Sequence, residues 1–217
     1  MSNDFLPEPL PDDPLPTFAE WLGHARVHSG QPNPDAMVLA TVADGGRPAA
    51  RVVLCKQFAA QAGYIVFFTN YQSRKGHELT RHPQAAVVFH WDQLHRQVRI
   101  EGPLVRSPIE ESEEYFAHRP LASRLGAWAS EQSQPLASRA TLEAQLQATT
   151  ERFAVGTGGT VPRPPHWGGY RLWIERLELW VEGPGRIHDR AVWQRSLQRS
   201  GEFEFTVGNW LATRLNP

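Results

Sequence analysis

The chain has a single cysteine, Cys55, among 217 residues, so it can form no intrachain disulfide. Cys55 ends the apolar run Val52-Val53-Leu54-Cys55 and reads as a small buried hydrophobe rather than a reactive thiol. Lysine is almost missing too: Lys56 and Lys75 are the only two, and arginine carries all other fixed positive charge. There is no excess of either sign. A formal net charge of −1 leaves no global field to draw the chain onto nucleic acid or anionic lipid, so any anion site must be local. No apolar run approaches the ~20 residues of a membrane helix. The N-terminal stretch Met1-Ser-Asn-Asp-Phe-Leu-Pro-Glu-Pro has neither the basic start nor the apolar centre of a secretory leader, and the expectation is a cytoplasmic protein. There is no GxGxxG, no P-loop and no GxSxG elbow, so a phosphorylated ligand would have to be held by other devices. His77 and His82 are five apart, as are His90 and His95, without cysteine neighbours, and no metal site is expected.

What remains is an ordinary core-forming composition, 41% apolar and 21% charged. Residues 1–13, rich in Pro and Asp, read as a flexible arm, and residues 14–217 as one domain. A helix is expected from Pro14 to about His28, with Phe18, Trp21, Leu22 and Ala25 at helical spacing. Strands are expected at Ala36–Val42, Ala49–Lys56, Tyr64–Thr69, Ala85–Trp91 and Gln97–Glu101. Ser73 caps a short helix that Pro83 stops. Ser107-Pro108-Ile109-Glu110 has the form of a capping box opening a helix to about His118, and a further helix covers about Ala137 to Phe153. Residues 156–165 form a glycine- and proline-rich loop. One strand is expected over Arg171–Val181, a turn at Gly183-Pro184-Gly185, a partner strand over Arg186–Gln194 and a last strand near Trp210–Leu215. Many short strands joined by hairpins, with a few helices inserted, predict a mainly β, antiparallel barrel with peripheral helices.

Four constellations could carry chemistry. Ser73-Arg74-Lys75 sets two cations at a helix N-terminus, where they oppose the dipole unless an anion sits among them. Arg51 opens an apolar strand that Lys56 closes, and alternation would put the two on opposite faces. Tyr115 and Arg119 are four apart at a helix end, with Ser123 close behind, all good phosphate partners. Arg186, His188 and Arg190 would point to one face of a strand. Each cluster is also compatible with an ordinary solvated surface. Taken together they suit a phosphorylated aromatic small molecule better than a polymer.

In their order these stretches resemble the pyridoxine/pyridoxamine 5′-phosphate oxidase family. The matching segments are Arg-Val-Val-Leu-Cys-Lys (51–56), Phe-Phe-Thr-Asn (67–70), Ser-Arg-Lys (73–75), Arg-Gln-Val (96–98), Tyr-Phe-Ala-His-Arg-Pro (115–120), Gly-Ala-Trp-Ala-Ser-Glu-Gln-Ser (126–133), Trp-Gly-Gly-Tyr-Arg (167–171), Leu-Glu-Leu-Trp (177–180) and Arg-Ile-His-Asp-Arg (186–190). The resemblance implies an FMN-binding split β-barrel that forms a homodimer with FMN at the subunit interface. It implies that Arg51, Arg74, Lys75, Gln132 and Ser133 hold FMN, and that Val52, Val53, Leu54, Phe68, Thr69, Gln97, Trp180 and Arg190 line the rest of the flavin. Lys56, Tyr115, Arg119 and Ser123 would hold the substrate phosphate, with Arg186 and His188 over the pyridine ring as the catalytic pair. The implied reaction is oxidation of pyridoxine or pyridoxamine 5′-phosphate by dioxygen to pyridoxal 5′-phosphate and hydrogen peroxide. Phe68 stands where the family often has Tyr, an Arg-Arg-x-Tyr stretch found near the N-terminus of some members is missing, and residues 195–209 look long enough to extend the last hairpin. The alternatives are a related oxidase of another aromatic substrate, of the phenazine type, and a non-enzymatic FMN-binding protein.

Overall fold

The computed structural model describes residues 5–154 and 159–217, so residues 1–4 of the expected arm and 156–158 of the expected loop lie outside it. In chain order the elements are α1 (Leu15–His28), β1 (Ala36–Val42), β2 (Pro48–Leu54), β3 (Gln57–Ala59), β4 (Tyr64–Asn70), α2 (Arg74–Arg81), β5 (Gln84–Trp91), β6 (Arg96–Arg106), α3 (Ile109–Ala117), α4 (Leu121–Ala129), α5 (Arg139–Arg152), β7 (Trp167–Trp173), β8 (Arg176–Val181), β9 (Asp189–Gln194), β10 (Leu197–Arg199), β11 (Phe205–Val207) and β12 (Leu211–Leu215). One curled sheet runs β12-β9-β8-β6-β5-β1-β2, and β7, β4 and β3 continue from β6 as a second wall. The pairings are antiparallel throughout. This is the antiparallel barrel with peripheral helices that the strand pattern predicts, in the split form that the family resemblance implies.

β6 makes the barrel. Its first part, Arg96–Glu101, pairs with β8, and its end, Leu104–Arg106, pairs with β7. Between them sits Gly102, where a Cβ would lie 2.0 Å from the carbonyl oxygen of Trp173. Only a residue without a side chain lets β6 pass that close to the β7–β8 corner. At this corner the single strand expected over Arg171–Val181 divides in two: Ile174 and Glu175 leave the ladder, and the Glu175 amide donates to Glu101 O at 3.0 Å.

The core fills the space between the walls. Met37, Leu39, Phe67, Val87, Phe89, Val98, Ile100, Leu177, Leu179 and Trp193 all face inward. α1 closes one end, with Phe18 buried against Phe58 and Phe89 at ring-centroid distances of 4.6 and 5.6 Å. Cys55 lies in the same core, and burial first and Asp35 next push its thiol up to about 12. The segment read as a flexible arm lies against the barrel from Leu6 onward. The buried Leu6 donates its amide to Asp189 Oδ2 at 2.7 Å, and the Trp193 indole donates to Pro11 O at 2.8 Å.

Three further local expectations are corrected. The capping box does not form: Pro108 occupies the cap position of α3, and the Ser107 hydroxyl donates to Glu111 Oε1 at 3.2 Å instead. Residues 186–188 are not strand. Gly185 and Arg186 have φ of 62° and 65°, so the chain turns there and β9 starts only at Asp189. Residues 195–209 do not lengthen the last hairpin but form their own, β10 with β11.

Candidate active site

A cavity of about 560 Å³ opens between the end of β2, the middle of β4 and helices α3 and α4. β2 and its exit supply Val52, Val53, Leu54 and Lys56, β4 supplies Phe68, Thr69 and Asn70, and α2 supplies Lys75. Tyr115, Arg119 and Ser123 come from α3, α4 and the turn between them, and Gln132 and Trp167 complete the wall. Lys56, Tyr115, Arg119 and Ser123 are thus brought to one cavity, together with Val52, Val53, Leu54, Phe68, Thr69, Lys75 and Gln132. Lys56 reaches it because β2 ends at Leu54; past the strand, alternation no longer dictates its direction.

One side of the cavity is an aromatic plate. The rings of Phe68 and Tyr115 stack at 4.0 Å between centroids with planes 5° apart, and Phe68 and Trp167 lie 5.3 Å and 7° apart. Arg119 sits above this plate, its guanidinium carbon 4.6 Å from the Trp167 centroid. Burial lowers the Arg119 pKa, while Tyr115 acts in the opposite direction. Its Nη1 is buried with no hydrogen-bond partner. A buried, unpaired guanidinium nitrogen is costly, and an incoming anion would satisfy it.

The opposite end is cationic. Ser73 caps α2, accepting from the Gly76 amide at 3.3 Å. Lys75 Nζ donates to Gln132 Oε1 at 2.9 Å and to Thr69 Oγ1 at 3.2 Å. Burial, then Arg51, lowers its pKa, with Glu78 opposing. Arg51 and Arg74 do not line the large cavity. Arg74 instead lines a neighbouring one of about 430 Å³ with Ser133 and Glu78. Both arginines are tied to Glu78, at 2.8 and 2.9 Å.

A family model described as pyridoxamine 5′-phosphate oxidase matches residues 25–153, and one described as the pyridoxine 5′-phosphate oxidase C-terminal dimerisation region matches residues 167–217. The chain belongs to the pyridoxamine 5′-phosphate oxidase family. It is 51% identical over 205 residues to a pyridoxine/pyridoxamine 5′-phosphate oxidase of Burkholderia lata, covering 94% of this chain and 89% of that protein. It is 50% identical over 195 residues to one of Azorhizobium caulinodans, covering 89% and 87%. Among solved structures it is similar to PhzG of Burkholderia lata 383, crystallised with tetrahydrophenazine-1-carboxylic acid, with a TM-score of 0.83, 29% identity and full coverage of both chains.

Besides Arg51, Arg74 and Ser133, five of the expected site residues stay away from the cavity. Gln97, Trp180 and Arg190 stand abreast on β6, β8 and β9, since Gln97 pairs with Trp180 and Trp180 with Arg190. His188 packs on Trp180 at 4.6 Å between ring centroids, and its Nδ1 accepts from the Gly183 amide at 3.2 Å. Arg186 is exposed on the turn before β9. Arg190 is held by Glu178, whose Oε1 accepts from its Nε at 3.0 Å and its Nη2 at 2.8 Å. Among the residues at or beside the site that had no role in the sequence reading are Trp167, Thr41 and Glu78. Trp167 was visible only as the start of Trp-Gly-Gly. Those glycines let β7 approach closely, because a Cβ on Gly168 would lie 2.1 Å from the Tyr71 hydroxyl and one on Gly169 2.5 Å from Ser107 Oγ.

Proposed function

We propose that this oxidase converts pyridoxine 5′-phosphate and pyridoxamine 5′-phosphate to pyridoxal 5′-phosphate as an FMN-dependent homodimer. The observation that carries the reading is the convergence of Lys56, Tyr115, Arg119 and Ser123 on one cavity, with a buried Arg119 nitrogen unpartnered. Those donors suit a phosphate, and a phosphate held away from the reacting carbon orients the substrate without taking part in the chemistry. The residues present also fit FMN. Lys75, Arg74 and Arg51 gather positive charge at the start of α2, and Val52 to Leu54 with Phe68 offer an apolar wall for a flat ring. Bound FMN supplies hydride acceptance and its reoxidation by dioxygen to hydrogen peroxide.

The homodimer is supported by the match of residues 167–217 to a dimerisation region. The sheet face bearing Gln97, Trp180 and Arg190 also exposes Val52 and Val38, 65% and 42% accessible, as an apolar area a second copy would cover. In that arrangement Gln97, Trp180, Arg190, Arg186 and His188 would serve the partner's cavity. Because the Gly183 amide donates to His188 Nδ1, the proton of the neutral ring sits on Nε2. His188 then offers a donor that orients the substrate, alongside Arg186.

A second reading, a phenazine-type oxidase, is favoured by the full-length likeness to PhzG. One experiment separates them. The FMN-loaded protein is mixed with pyridoxine 5′-phosphate without oxygen, the flavin absorbance is followed, and air is admitted. Bleaching, recovery and formation of pyridoxal 5′-phosphate are expected. A bound flavin that stays oxidised would favour the second reading or a non-enzymatic carrier, and failure to bind FMN would remove the proposal.

A further inference from the structure

Glu78 is a carboxylate only 6% exposed, placed among the cations at the start of α2. Its Oε2 accepts from Arg51 Nη2 at 2.8 Å and from the Thr41 hydroxyl at 2.6 Å, and its Oε1 accepts from Arg74 Nε at 2.9 Å. Arg51 Nη1 closes the group with a short contact to the same Thr41 hydroxyl. Burial alone would raise the Glu78 pKa, yet the hydrogen bonds from Thr41, Arg51 and Arg74 hold it below its usual value. Glu78 therefore holds Arg74 at Nε and Arg51 at Nη2, while Arg51 Nη1 also donates to the carbonyl oxygens of Leu39 and Ala49 at 3.5 and 3.4 Å, so the planes of both guanidiniums are set by one carboxylate and its neighbours.

We propose that Glu78 is a positioning residue for anion binding: it bridges Arg51 and Arg74 and fixes both guanidinium planes before the flavin phosphate arrives. This rests on the flavin reading above. Arg51, Arg74 and Lys75 would repel one another without a counter-charge, and two long arginine side chains would have to be ordered at the moment of binding. The bridge removes both costs. Its own negative charge opposes the phosphate, so the net benefit comes from geometry.

The test compares FMN with riboflavin, which lacks the phosphate, by quenching of flavin fluorescence on the apoprotein. Glu78→Gln keeps the shape but loses the bridge; Glu78→Asp keeps the charge but is too short to span both arginines. Both variants are expected to weaken FMN binding roughly tenfold, the cost of ordering one or two side chains, and to leave riboflavin binding within about twofold of wild type. Equal weakening of both flavins would show a merely structural role and overturn the proposal. Unchanged or tighter FMN binding in either variant would overturn it as well. If the Gln variant fails to fold, the Asp variant decides alone. A wild-type chain that binds neither flavin would instead overturn the flavin reading, and the role of Glu78 with it.

Discussion

Arg119 lies over the face of Trp167, 4.6 Å from guanidinium carbon to ring centre, and one of its nitrogens is buried without a partner. The ring backs the cation on one side, and that one nitrogen is kept from water. Removing the ring should therefore loosen the phosphate without touching the chemical step. Trp167→Leu is expected to raise KM for pyridoxine 5′-phosphate about three- to thirtyfold, the range of a partly desolvated cation–π contact, with kcat little changed. Arg119→Lys loses the planar fork as well and should raise KM about ten- to a hundredfold. Steady-state kinetics check both; a fall in kcat at constant KM would contradict the assignment.

Lys75 and Arg186 should separate cofactor binding from turnover. Lys75→Ala is expected to weaken FMN binding at least about tenfold, a charge-assisted contact being worth roughly 1.5–3 kcal/mol, whereas Arg186→Ala should cut turnover far more than FMN affinity. The sign of the pH dependence follows from burial. The folded ammonium of apo Lys75 titrates below its ordinary 10.5, so it loses its charge, and with it affinity for FMN, as pH rises toward that value. Lys75→Arg should remove this alkaline loss. Titrations at pH 7 to 10 measure it, and a flat wild-type profile would count against Lys75 as a phosphate partner.

Cys55 should be silent in the folded protein. Its thiol is pushed from 9.0 to about 12, which lowers the thiolate fraction about a thousandfold at neutral pH, and it is buried besides. An aromatic disulfide reagent at pH 8 should label it only after denaturant unfolds the chain. Labelling of the native protein at the rate of a free thiol would mean that this part of the core opens readily.

Much of the fold was legible because local periodicity carried it. β1 falls on the expected Ala36–Val42, and α1 follows from Phe18, Trp21, Leu22 and Ala25. α4 was missed because only Leu125 and Ala129 are buried in it, too few to display a helical stripe. The division of β7 from β8 was not legible locally, since Gly102 on another strand shapes that corner. Arg186, His188 and Arg190 were read as one strand face, but the positive φ at Gly185 and Arg186 turns the chain first. At the site, the side chains proposed to bind phosphate stood out as cations and hydroxyls in the order of a family. Glu78 did not, because its meaning comes from Thr41 and Arg51, 37 and 27 residues away in sequence.

The strand β6 belongs to both walls, whereas β10 and β11 pair only with each other. This divides the chain into places that can and cannot lengthen. A residue added to the 195–209 hairpin disturbs one small ribbon. A residue added within β6 reverses the facing of everything beyond it, so that one wall turns its core side chains to water while the other keeps its own. Natural variation in length in this family should therefore gather at the small ribbon and be all but missing from the eleven residues of β6.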